Sequence, residues 1–289
     1  MKKILITGAT GFVGSHLAEL CVKKGFEVIA FDRYNPNYNL GWLEKSKYKK
    51  DINFIFGDIR DYDSVFKSVK DCKIVFHLAA LIGIPYSYFS PLAYLKTNTE
   101  GTFNILEASK NLGIDQIIVT STSETYGTAK YVPIDEKHPV HPINHYGYTK
   151  LYIEQYLNWI SNIEDLRFVS LRYFNAAGYT TKKGMIKFKE KNPENLLPIV
   201  MEVANKTRKK LKVFGNNYDT NDGTCIRDYV HVLDLADAHI KAIDYLDTND
   251  SSIINLSTGI GCSVLDIVKI TEKVTNDQIP YSFSSRREG

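Results

Sequence analysis

Gly8-Ala9-Thr10-Gly11-Phe12-Val13-Gly14 is the stretch that decides the fold. It follows a short apolar run, Ile4–Thr7, and opens an amphipathic stretch, Ser15–Lys24, which Gly25 closes at the position of a C-terminal cap. A strand that ends in spaced glycines and turns at once into a helix predicts the first βα unit of a dinucleotide-binding fold. Glycines are needed because the turn is tight and its backbone must approach a pyrophosphate at a positively polarised helix N-terminus. Asp32 ends the next apolar run, where a carboxylate hydrogen-bonds adenosine ribose hydroxyls and repels a 2′-phosphate. That favours NAD over NADP, with the neighbouring Arg33 acting in the opposite sense.

Working outward, Glu27–Phe31, Asn53–Phe56, Ile74–Leu78, Gln116–Thr120 and Phe168–Leu171 read as further strands buried on both faces. Helical patterns separate them, among them Pro91 to Gly113 and Thr149 to Trp159. The alternation predicts an α/β fold, a Rossmann-like doubly wound parallel sheet with a smaller C-terminal lobe. The cofactor domain is expected over residues 1–175, with 229–256 packing back onto it, and the smaller substrate-binding lobe over 176–289. In that second half the pattern breaks at Gly178 to Pro198. It resumes with strands at Leu211–Phe214, Tyr229–Val232 and Ile253–Leu256, a helix at Asp234–Tyr245 and a helix capped by Ser263.

Composition narrows the function. The 289 residues carry 36 basic and 33 acidic side chains, a net charge of +3, too small for a nucleic-acid binder or a polybasic membrane anchor. The basic clusters Lys45–Lys50 and Lys206–Lys212 read as solvated faces, lacking the interleaved aromatics of a single-strand binder. No apolar run approaches the roughly 20 residues of a spanning helix. The start, Met1 to Ile6, imitates a signal peptide, but its apolar run stops at Thr7-Gly8. Four scattered cysteines without metal spacing, and histidines without paired spacing, predict a reducing cytoplasm and no metal site.

Two further constellations carry chemistry. Tyr146-Gly147-Tyr148-Thr149-Lys150 places a phenol and an ammonium one helical turn apart. A neighbouring cation favours the phenolate and brings a poor base toward use. Thr120-Ser121-Thr122-Ser123-Glu124 ends the fifth strand, where a crevice-facing hydroxyl can hold a substrate oxygen; read plainly, the same cluster is a polar loop bonding its own backbone. Asp58, in Gly57-Asp58-Ile59-Arg60, stands where a strand end faces the cofactor crevice, or is a simple turn residue. His77 reads as a satisfied buried histidine.

With these residues in place, the chain resembles the extended short-chain dehydrogenase/reductases that act on nucleotide sugars. Arg172 to Gly178, Asn195-Leu196-Leu197-Pro198, Tyr218 to Val232 and Arg286 to Gly289 look specifically like UDP-glucose 4-epimerases. The resemblance implies that Tyr146 takes a proton from a sugar hydroxyl while hydride passes to tightly held NAD. Lys150 would bind the nicotinamide ribose and Thr122 would assist. It further implies a cofactor site of Gly8, Gly11, Phe12, Val13, Gly14, Asp32, Asp58, Ile59, Leu78, Ala79, Ala80, Asn98, Tyr146, Lys150 and Tyr173. Asn175, Asn195 and Leu196 would touch the UDP-sugar, Arg227 and Arg287 would clamp its diphosphate, and two helices per protomer would build a homodimer. Planar guanidinium suits phosphate oxygens, although Arg227 read plainly is a surface arginine.

The first half departs from that pattern. Ile84 to Tyr88 and Thr122-Ser123-Glu124 look more like nucleotide-sugar 4,6-dehydratases and UDP-glucuronate decarboxylases. The dehydratases use an acidic pair after the threonine; here Ser123 replaces one member and only Glu124 remains. The expectation is therefore a UDP-hexose 4-epimerase, with a decarboxylase or dehydratase using Glu124, or a non-catalytic NAD-binding homologue, as rivals. The related epimerases continue past Arg-Arg-x-Gly with an aspartate for the uridine ribose, so weakened substrate binding is expected of a chain ending at Gly289.

Overall fold

The computed structural model describes residues 2–114, 116–178 and 193–287. Most of the predicted break from Gly178 to Pro198, and the last two residues of the Arg286 to Gly289 motif, lie outside the described residues. In chain order the structure opens with β1 (Lys3–Thr7), α1 (Phe12–Lys23), β2 (Glu27–Arg33), β3 (Ile52–Gly57), α2 (Tyr62–Val69) and β4 (Ile74–His77). There follow α3 (Ile84–Phe89), α4 (Pro91–Tyr94), α5 (Gly101–Asn111), β5 (Gln116–Thr122), α6 (His145–Ser161), β6 (Arg167–Tyr173) and β7 (Asn175–Ala177). The rest is α7 (Leu196–Ala204), β8 (Leu211–Phe214), β9 (Ile226–His231), α8 (Val232–Thr248), β10 (Ser252–Leu256), β11 (Gly261–Ser263), α9 (Val264–Thr275) and β12 (Tyr281–Ser284).

The chain divides into two units: residues 2–178 with Val230–Leu256, and residues 193–229 with 257–287. The first is built on a seven-stranded sheet of order β10-β6-β5-β4-β1-β2-β3, with every neighbouring pair parallel. Its strands bury both faces because alternate side chains enter different cores. Ile4 and Ile6 of β1 pack with Leu17 and Cys21 of α1 and with Ile240 and Ile243 of α8. Leu5, between them, packs with Val65 and Val69 of α2, Ile105 of α5 and Ile153 and Leu157 of α6. The fold is thus the doubly wound, Rossmann-like sheet that the glycine turn predicts. Because all strands are parallel, their carboxyl ends share one edge.

One expected helix is not continuous. Between Pro91 and Gly113 the chain forms α4, then a wider π-helical turn over Leu95–Glu100, then α5. The widened turn carries Asn98, fully buried, whose amide bonds outside its own helix. Such turns release a side chain from helical packing and are frequent at functional sites.

The second unit has its own core, in which Val200 and Val203 of α7, Leu211 and Val213 of β8, Ile267 and Val268 of α9 and Ile279 pack together. β12 pairs parallel with β8, Leu211 opposite Tyr281, and β11 pairs antiparallel with β9, Gly261 opposite Asp228. Ser263 caps α9 in a reciprocal box with Asp266, satisfying two backbone donors at the helix start. Among the described residues no helix is long and apolar enough to cross a membrane, and no group of three His, Cys, Asp or Glu side chains could hold a metal ion.

Candidate active site

The edge begins with the glycine turn. Gly8 has φ +69° and donates its N–H to the Phe31 carbonyl at 2.9 Å, which ties the turn to β2. A Cβ on Gly14 would lie 2.2 Å from the Gly8 carbonyl oxygen, so only glycine lets α1 approach β1 so closely. Gly11 starts α1 with no side-chain cap and no acidic residue in the first turn, which leaves its positive end, at Phe12 and Val13, for an anionic group. Asp32 Oδ2 accepts from Thr10 N–H at 2.8 Å and from the Thr10 hydroxyl at 2.6 Å. The carboxylate therefore stands at the glycine turn, where a ribose would lie. A glycine turn too tight for side chains, an open helix N-terminus and an adjacent carboxylate together fit a dinucleotide cofactor.

The next strand ends extend this wall. Asp58 is bonded by Arg60 through Nε at 2.9 Å and Nη2 at 2.5 Å, and that guanidinium holds its carboxyl below the ordinary range; Ile59 beside it is buried. His77 is fully buried at the end of β4. The Thr102 hydroxyl donates to the Asn98 carbonyl at 2.5 Å, so its oxygen accepts the His77 Nε2 proton at 2.9 Å. Nδ1 is left to accept from the Thr7 hydroxyl at 2.8 Å, and the Thr7 oxygen accepts the N–H groups of Leu78 and Ala79, both at 3.1 Å. His77 is thus a neutral strut that fixes the backbone at Leu78 and Ala79, ahead of Ala80. Asn98 extends the same wall, accepting Leu81 N–H at 2.8 Å and donating to the Leu81 carbonyl at 2.9 Å.

The groups expected to react, Thr122, Tyr146 and Lys150, lie where β5 ends and α6 begins. Asn144 caps α6: its Oδ1 accepts Gly147 N–H at 2.8 Å while its Nδ2 donates to Glu124 Oε2, also at 2.8 Å. One side chain thereby joins the turn after β5 to the helix start that carries Tyr146. The Thr122 hydroxyl bonds the Tyr146 phenol, which lies almost wholly buried. Burial pushes that phenol up, Thr122 pulls it down, and the Glu124 carboxylate raises it further. Lys150 is 2% exposed and donates its Nζ to the Thr120 carbonyl at 2.7 Å; burial brings it down to about 8 against the upward pull of Glu154. In this state burial, and not the neighbouring ammonium, dominates the phenol, so the proton stays on Tyr146.

Other expected site residues take separate positions. Tyr173 ends β6 and donates its phenol proton to His239 Nε2 at 2.7 Å, since Nδ1 donates to the Leu235 carbonyl. Asn175 begins β7 in the same unit. In the second unit Asn195 is the N-cap residue of α7 and Leu196 its first helical residue. Arg227 is exposed on β9, its Nη1 on the Ile226 carbonyl, and the Arg287 guanidinium lies 5.0 Å from the Phe214 ring centroid. Asn144, Glu154 and Arg172 were not singled out from the sequence as site residues. Asn144 had a signal, an asparagine two places before Tyr146 at a helix start. Glu154 had only its position one turn beyond Lys150.

The family described as the NAD dependent epimerase/dehydratase family has a sequence model that matches residues 4–257. The UDP-glucose 4-epimerase of Lacticaseibacillus casei is 41% identical over 291 residues, covering 99% of this chain and 85% of that protein. Among solved structures, UDP-glucose-4-epimerase from Stenotrophomonas maltophila with bound NAD and formylated UDP-arabinopyranose superposes with a TM-score of 0.92 at 31% identity. It spans 100% of this chain and 88% of that one. The Bifidobacterium longum UDP-glucose 4-epimerase in complex with NAD+ and UDP gives a TM-score of 0.91 at 34% identity, over 100% and 88% of the two chains.

The buried strut has a measurable consequence. Burial holds His77 at about 3, below its ordinary 6.5, so between those values the unfolded chain binds a proton that the folded chain refuses. Stability should fall as pH drops through that window. His77→Gln, which keeps a donor and an acceptor, should flatten the slope in urea denaturation at neutral pH and near pH 5; an unchanged slope would contradict the assignment.

Proposed function

The chain belongs to the NAD dependent epimerase/dehydratase family, and from that membership we propose that it is an NAD-dependent 4-epimerase of a UDP-hexose, of the UDP-glucose/UDP-galactose type. The observation that carries this reading is the meeting of Thr122, Tyr146 and Lys150 at the edge where the glycine turn opens. Relatives at 31–41% identity bear the same activity in their names, and solved neighbours hold NAD with UDP or a UDP-sugar.

NAD, when bound, supplies the redox capacity of the site, taking up a hydride and giving it back. Gly8, Gly11 and Gly14 admit its pyrophosphate, the first turn of α1 at Phe12 and Val13 faces it, and Asp32 takes the adenosine ribose. Asp58, Ile59, Leu78, Ala79, Ala80, Asn98 and Tyr173 complete the wall. Lys150 holds the nicotinamide ribose. Tyr146 removes the proton of the sugar 4-hydroxyl while Thr122 holds that oxygen, and C4 becomes a ketone. After the 4-keto sugar presents its other face, Tyr146 returns the proton and C4 is restored with inverted configuration. Substrate and product are isomers, so the cofactor is not consumed. Asn175, Asn195 and Leu196 contact the UDP-sugar, and Arg227 and Arg287 bind its diphosphate, which suits two exposed guanidiniums.

Glu124 favours no second reading. Its carboxylate is held by Asn144, and epimerisation at C4 needs no acid there. The four cysteines are free, which fits a reducing cytoplasm. Two copies of the chain pair through the helical stretch Pro91 to Gly113, which holds α4 and α5, and through α6: Leu92 is 69% exposed, Tyr148 54% and Trp159 57%, and Leu95, His145, Tyr148 and Tyr152 line a hollow there.

Proton NMR of the protein with NAD and, separately, UDP-glucose, UDP-N-acetylglucosamine and UDP-glucuronate tests the activity. A C4 epimer is expected, Tyr146→Phe should abolish it with NAD still bound, and Glu124→Gln should preserve it. A 4-keto-6-deoxy sugar or a pentose as product would overturn the reading. Sedimentation at micromolar concentration should give about twice 32.9 kDa, and a monomer would refute the pairing.

A further inference from the structure

Beneath the reactive groups lies a buried ion pair that the reaction as described does not use. Glu154, on α6 one turn beyond Lys150, is 1% exposed. Its Oε1 accepts from the Ser121 hydroxyl at 2.5 Å and from Arg172 Nε at 2.9 Å, and its Oε2 accepts from Arg172 Nη2 at 2.6 Å. Arg172 Nη1 donates to the Tyr126 phenol at 2.8 Å, and that phenol donates to Asn255 Oδ1 at 2.7 Å. The network therefore binds α6, β5, β6 and β10 at one point.

A buried ion pair is weak as a source of stability, because apolar side chains of similar volume often serve as well or better. Its position is informative instead. Ser121 lies between Thr120, whose carbonyl holds the Lys150 ammonium, and Thr122, whose hydroxyl bonds Tyr146. Glu154 rides on the helix that carries both Tyr146 and Lys150. A carboxylate that grips Ser121 and Arg172 thus sets the register of that helix against the strand end that its reactive side chains must meet. It is also the negative charge nearest in sequence to a lysine that has left water on its own helix.

We infer that Glu154 is a positioning residue: through Ser121 and Arg172 it holds Tyr146 and Lys150 against Thr122 and Thr120, with its carboxylate carried one turn from the buried ammonium on the same helix. The inference rests on the epimerase reading of the same site. The charged and titratable groups that interact with Lys150 are Glu154 on α6 and His77 on β4, and Arg172 on β6 is paired to Glu154. Glu124, Tyr94 and Tyr173 act around Tyr146. Since His77 stays neutral, Glu154 is the group whose removal changes the charge beside Lys150 most directly.

The test compares wild type with Glu154→Gln, Glu154→Asp and Ser121→Ala. Turnover is followed from UDP-glucose by proton NMR across pH, and urea denaturation is run over the same range. Misplacement of reacting groups by about 1 Å costs on the order of 100-fold, so Glu154→Gln should lose kcat on that scale with KM little changed. Its alkaline limb should move down by about one pH unit or more, because a lysine that loses the carboxylate one turn along its helix gives up its proton earlier. Glu154→Asp keeps the charge but withdraws it, so the limb should stay while kcat falls. Ser121→Ala leaves the ion pair intact and should lower kcat with the limb unmoved, which keeps the inference testable if Glu154→Gln fails to fold.

Denaturation reads Lys150 without turnover. Its folded value of about 8 lies below the unfolded 10.5, so stability should rise with pH between them, and in Glu154→Gln that rise should begin at lower pH. Wild-type kcat in both Glu154→Gln and Ser121→Ala, or a denaturation profile that Glu154→Gln leaves unshifted, would overturn the inference. A wild type that makes no C4 epimer would instead sink the epimerase reading, while the denaturation profiles still decide the role of Glu154.

Discussion

The burial of the Lys150 ammonium sets the terms for this site. A charge removed from water must be bonded and balanced or it titrates away. Here Nζ donates to the Thr120 carbonyl, and Glu154 stands one turn along the same helix. These contacts require α6 to lie against the ends of β5 and β6 in one register, and that register brings Tyr146 to Thr122. The sheet makes the arrangement reachable. Parallel strands deliver Gly8, Asp32, Leu78, Thr122 and Tyr173 to one edge, so a cofactor wall and a reactive pair can face the same space.

The Tyr146 phenol is held in its protonated form by its surroundings. Burial and the Glu124 carboxylate both favour the protonated form of Tyr146, and the bond from Thr122 only partly opposes them. For Tyr146 to act as the proposed base, positive charge must therefore arrive with what binds beside it. The same economy appears at His77. An imidazole kept neutral in the core donates on one side and accepts on the other, fixing the loop of Leu78 and Ala79 before any ligand is present.

Much of this was legible in the sequence, because glycine spacing and apolar alternation report backbone demands directly. β1, α1 and β2 lie where the turn at Gly8 to Gly14 implies, and the cap at Ser263 is the one the sequence announces. What escaped were features that depend on tertiary partners. In the interruption at Leu95–Glu100, Asn98 bonds across to Leu81, and no periodicity records that. Glu154 reads as one more helix charge, and Arg172 as part of a strand motif, until their pairing in the core is seen. The Asn144 link to Glu124 is likewise invisible as spacing, since the two meet only when the end of β5 and the start of α6 come together.

The most direct measurement follows the hydrogen at C4. With UDP-glucose deuterated at that carbon, the account requires the label to leave as hydride, stay within the site and return. The UDP-galactose formed should then carry deuterium at C4. Loss of the label to solvent would mean that the carbon gave up a proton instead, and would contradict inversion by oxidation and return.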